Sequence, residues 1–77
     1  MKLNNEFLED IELLTLFRSD SSQQGIKIHH DAEQIRLNAA ERLYDKNLIT
    51  QVDGGYLTPL GIQATEHVSA LVTILQP

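Results

Sequence analysis

Three groups of side chains in this chain have types and spacings that could do chemistry. His29-His30-Asp31, with the distant His67, supplies metal-ligand types. Gln34, Arg36 and Asn38 supply the types that read base edges, Arg bidentate to guanine and Asn or Gln to adenine. Lys27, His29, His30, Arg42 and Lys46 could meet phosphates. The first group does not read as a metal site: neighbouring residues of an extended segment point to opposite sides, and no H-x-x-x-H or cysteine spacing is present. Ser21 and Ser22 stand in a turn-rich stretch without a recognisable base. Gly54 and Gly55 serve a turn, because a phosphate cradle would require a following Lys-Ser/Thr. No enzyme activity, metal or cofactor is expected.

The elements that must carry these residues follow from local signals. Phe7, Leu8, Ile11, Leu14 and Leu16-Phe17 recur at helical spacing after the possible caps Asn4 and Asn5, predicting a helix from about Asn5 to Phe17. Glu9, Asp10 and Glu12 read as its solvated face, with acids favoured near the helix start. Ser19 to Gly25 is a loop-like stretch, the composition of Arg18 to Gly25 permitting either a loop or a short helical turn, and Ile26-Lys27-Ile28 alternates like a short strand. Asp31, with Gln34 as capping-box partner, opens a second helix from about Ala32 to Lys46, whose apolar face is Ile35, Ala39, Ala40, Leu43 and Tyr44. Asn47 tolerates the left-handed conformation that ends helices. Leu48 to Val52 and Tyr56-Leu57 are strand-like around Asp53-Gly54-Gly55, which predicts a two-residue type I′ turn. Thr58 is an N-cap and Pro59 a first helical residue, so a last helix begins at Pro59 or Leu60.

At 77 residues with 42% hydrophobic content the chain is a single globular domain over 1–77, α+β and mainly helical. The absence of cysteine excludes disulfides and thiolate chemistry and fits a reducing compartment. The acids within the first ten residues do not suit a signal peptide, and no apolar run approaches membrane-spanning length, so a cytoplasmic protein is expected. The net charge of −5 repels nucleic acid, so contact with double-stranded DNA requires a local basic patch. The last helix carries Leu60, Ala64, Val68, Leu71, Val72 and Leu75, with Ile62 and Ile74 widening the apolar sector. This predicts either a homodimer through the terminal helices or the burial of the first and last helices against each other within one chain.

The run RLYDKNLITQVDGGYLTPLG resembles the recognition-helix-to-wing segment of winged-helix regulators of the multiple-antibiotic-resistance type. Their L-x-x-x-G-L-I and L-T-x-x-G motifs correspond to Leu43-x-x-x-Asn47-Leu48-Ile49 and Leu57-Thr58-Pro59-Leu60-Gly61. The whole chain, including GIKIHHDA, also resembles a family of small uncharacterised bacterial proteins. The resemblance implies a winged-helix-like domain: helix, short strand, helix, β-hairpin wing with its turn at Asp53, Gly54 and Gly55, and C-terminal helix. It implies a dimeric DNA-binding or transcription-associated regulator in which Gln34, Arg36 and Asn38 read bases and Lys27, His29, His30, Arg42 and Lys46 meet phosphates. The chain departs from that pattern in two places. Phe17 to Asp31 is too short for a full additional helix, and the hairpin tip lacks Arg and Lys. The alternative is a protein-interaction or dimerisation module on the same scaffold, without DNA binding.

Overall fold

The computed structural model describes residues 1–17 and 25–77. The predicted loop, with Ser21 and Ser22, lies outside the described residues apart from Gly25. Helix α1 runs Asn5–Leu16; Asn4 caps it, its side-chain oxygen accepting the Phe7 N–H at 2.8 Å. Phe17 is the C-cap rather than the last helical residue.

Helix α2 runs Gln34–Asp45 and starts later than expected. The Ala32 N–H donates to the His29 carbonyl at 3.0 Å, closing a turn over His30 and Asp31. Asp31 is spent in that turn, and Glu33 takes the N-cap position without a side-chain cap bond, so the predicted capping box does not form. Gln34 instead donates from its side-chain amide to Asn38 Oδ1 at 2.8 Å. At the other end Asn47 adopts φ 63°, and the Leu48 N–H returns to the Leu43 carbonyl at 2.9 Å. That left-handed residue satisfies a carbonyl the helix end would otherwise leave open.

Strands β1 (Ile26–Lys27), β2 (Ile49–Gln51) and β3 (Gly54–Leu57) form one antiparallel sheet in the order β1-β3-β2. In the hairpin Ile49 pairs with Leu57 and Gln51 with Gly54, so the register slips between them. The two turn residues are therefore Val52 and Asp53, and the positive backbone angles fall after them, on Gly54 (φ 122°) and Gly55 (φ 73°). This is a bulged hairpin in place of the predicted type I′ turn. Only glycine suits position 54, because a Cβ there would strike the carbonyl oxygen of Ile26 across the sheet.

Helix α3 runs Pro59–Leu75. The Thr58 hydroxyl accepts the Gly61 N–H at 2.9 Å and donates to the Asn47 carbonyl at 2.6 Å. The Thr58 N–H donates to the Leu48 carbonyl at 3.0 Å. A Cβ on Gly61 would collide with that same carbonyl oxygen. The end of α2 and the start of α3 are thereby clasped at the base of the hairpin.

The core is Leu13, Leu14 and Phe17 from the α1 segment, Ala39, Ala40 and Leu43 from α2, and Ile28, Ile49 and Leu57 around the sheet. Leu13 is fully buried although the predicted α1 face omitted it, whereas Ile35 and Tyr44 of the predicted α2 face are exposed. The small residues Ala39 and Ala40 let α1 lie close to α2. Thr65 of α3 is also fully buried, and its hydroxyl has no hydrogen-bond partner among the described residues.

Candidate functional site

Two helix faces hold the residues singled out in the sequence. On α2, one solvent stripe follows helical spacing through Gln34, Asn38, Glu41 and Asp45, in which Asn38 is half-buried and the others are exposed. It contains two carboxamides, bonded to each other, and two carboxylates. Arg36 and Arg42 do not lie on it. Arg36 donates through Nε to Glu9 of α1. Arg42 contacts both carboxylate oxygens of Asp10, with its Nη2 2.8 Å from Oδ1 and its Nε 3.0 Å from the same oxygen, and reaches the Glu6 carbonyl at 3.2 Å. Both arginine side chains are 28% exposed, and Glu9 and Asp10 are 16% and 17% exposed. The hydrogen bond to Asp10 holds the Arg42 pKa above its ordinary value; partial burial opposes this, and the charges of Asp10, Glu6 and Glu9 add to it.

These pairs correct one expectation. Glu9 and Asp10 are not a solvated face but the α1 side of a charged seam between two helices. Arg42 pairs across that seam rather than with Glu41 or Asp45 on its own helix. Sequence periodicity carried one usable signal: Arg42 borders the apolar stripe of α2 and Arg36 falls within it, as Glu9 and Asp10 flank Leu13 on α1, and such groups meet when the stripes pack. Of the predicted phosphate-contacting residues, Lys27, His29, His30 and Lys46 are exposed. Glu9, Ala32, Glu33, Ile35 and Arg36 line an open cleft of about 360 Å³. Its two carboxylates and already-engaged arginine do not suit an anion.

The predicted dimer residues of α3 divide by face. Ala64 and Val68 pack against the core and Val72 is half-buried, while Leu60, Leu71 and Leu75 are exposed to 48%, 55% and 71%. Ile74, at 76% exposure, joins the outward group. Of the two sequence-based alternatives, burial within the chain holds for the inner face of α3, while its outer face carries exposed apolar residues. Glu66 is the sole formally charged residue of α3. Among the described residues no group of three His, Cys, Asp or Glu side chains is placed to hold a metal ion, and no helix is long and apolar enough to cross a membrane.

Among the described residues, three helices around a small antiparallel sheet, with a charged seam between α1 and α2 and an exposed apolar face on α3, define an α+β domain that is mainly helical. The chain belongs to DUF5669, a family of unknown function, whose model matches residues 1–76. No curated protein and no solved structure matches it.

Proposed function

We propose that this chain is a non-catalytic protein-interaction module on a winged-helix scaffold, and that it does not work by reading DNA through α2. The scaffold reading is supported by the succession of α2, hairpin and α3 and by the pairing of β1 beside the hairpin. The functional reading rests on one observation: Arg36 and Arg42 are engaged by α1, and the solvent stripe of α2 that remains carries Glu41 and Asp45. A duplex approaching that stripe would meet carboxylates rather than cations. Freeing the arginines would leave Glu9 and Asp10 partly desolvated without partners, a cost that opposes the exchange. The outer face of α3, where Leu71, Ile74 and Leu75 are the most exposed, offers an apolar patch of the kind that marks protein contacts.

A second reading, a small DNA-binding or transcription-associated regulator, draws support from the exposure of Lys27, His29, His30 and Lys46. With about two lysine–phosphate contacts its affinity would fall about tenfold between about 50 and 200 mM salt, against about a hundredfold for four cations. Titrating isotope-labelled protein with mixed-sequence duplex DNA at those two salt levels separates the readings. The interaction-module reading expects backbone amides of residues 26–46 to stay in place at both. Salt-sensitive shifts that saturate and are confined to that segment and the hairpin would overturn it in favour of the regulator.

A further inference from the structure

Resting on the interaction-module reading, we infer that the outer face of α3 docks a second copy of this chain, with the contact centred on Leu71, Ile74 and Leu75. At 100° per residue, Leu60, Leu71, Ile74 and Leu75 share one side of α3, and Glu66 falls about 130° away from its centre. A two-fold axis sets a patch against itself, so the patch must be complementary to its own image. From Leu71 onward that side is apolar and free of charge and meets the requirement; one turn earlier the exposed His67, about 30° from the centre, lies on the same side. Approaches through the solvent faces of α1 and α2 meet the requirement poorly: the chain carries net charge −5, and Glu6, Glu12, Glu41 and Asp45 are exposed there, so two copies would oppose like charges.

The area is consistent with such a pairing. The smallest stable specific interfaces bury about 600 Å² per partner, about one-ninth of the 5565 Å² surface of this chain. A helix of 17 residues is about 25 Å long, so α3 supplies much of that area with help from its flanks. The dimer is therefore a small one, at the low end of specific interfaces.

Sedimentation velocity on the full chain from micromolar to millimolar concentration tests the inference. The unsubstituted chain should move from the mass of one copy to that of two. Leu71→Glu and Ile74→Glu should weaken self-association by more than about tenfold. Thr73→Glu, on the side of α3 away from the stripe, should leave it intact. All three positions are exposed, and circular dichroism of each variant shows that it folds. A one-copy mass at every concentration, or a Thr73→Glu variant as impaired as Leu71→Glu, overturns the inference. Neither result touches the interaction-module reading, which stands or falls on the DNA titration.

Discussion

Arg42 and Asp10 form a charge-assisted pair that is neither fully buried nor free in solvent. Because the folded-state pKa of Arg42 is raised, its contribution to stability is complete below the unfolded-state value and lost only as pH rises through the folded one. That window is strongly alkaline, so the Arg42 contribution is constant through neutral pH. A double-mutant cycle of Arg42→Met and Asp10→Asn should return a coupling of about 1 kcal/mol by denaturant unfolding, discounted for partial exposure. The same cycle between Glu41 and Lys46 should return close to zero. Thr65 presents the opposite case, a buried hydroxyl with no partner among the described residues. Thr65→Val keeps the shape and removes the unsatisfied group, and should raise the unfolding free energy by about 1 kcal/mol.

At the scale of elements, Thr58 serves two helices: it caps α3 and holds the carbonyl of the left-handed residue that ends α2. Thr58→Ala should cost about 1–2 kcal/mol in chemical denaturation, with Thr58→Ser recovering most of it. This junction was legible because its signals are local: Asn47 at a helix end and Thr-Pro before an apolar run each have one good use. The start of α2 was harder to read. Asp31 suits a cap and a turn equally, and the turn closed by His29 and Ala32 decided between them. The hairpin was legible as a hairpin but not in its turn type, because two successive glycines permit more than one register and β1 helps fix which is used. Glu9 and Asp10 could not be placed from their own neighbourhood, since their partners lie 27 and 32 residues away.

Taken whole, the molecule keeps its ion pairs away from the exposed face of α3, while Phe7, Leu8 and Leu16 are exposed on the acidic α1 as well. Acids and arginines share the α1–α2 side, while the outer face of α3 is almost free of charge. This division argues against reading the net charge of −5 as an even coat. It also explains why α3 alone suggested two incompatible roles. Its apolar sector is wider than the inner face that the core can cover, and sequence gives the width of a sector without saying how much of it the rest of the chain reaches.

The clasp at the hairpin base also sets an order of assembly. Its hydrogen bond between Thr58 and Asn47 spans 11 residues, whereas the seam to α1 spans 27 and 32. Shorter loops close at lower entropic cost, so the segment from α2 through the start of α3 should gather first and α1 should dock onto it afterwards. In stopped-flow measurements Thr58→Ala should slow refolding, whereas Asp10→Asn should leave refolding nearly unchanged and accelerate unfolding. A weakened seam would then shorten the lifetime of the folded chain without delaying its return.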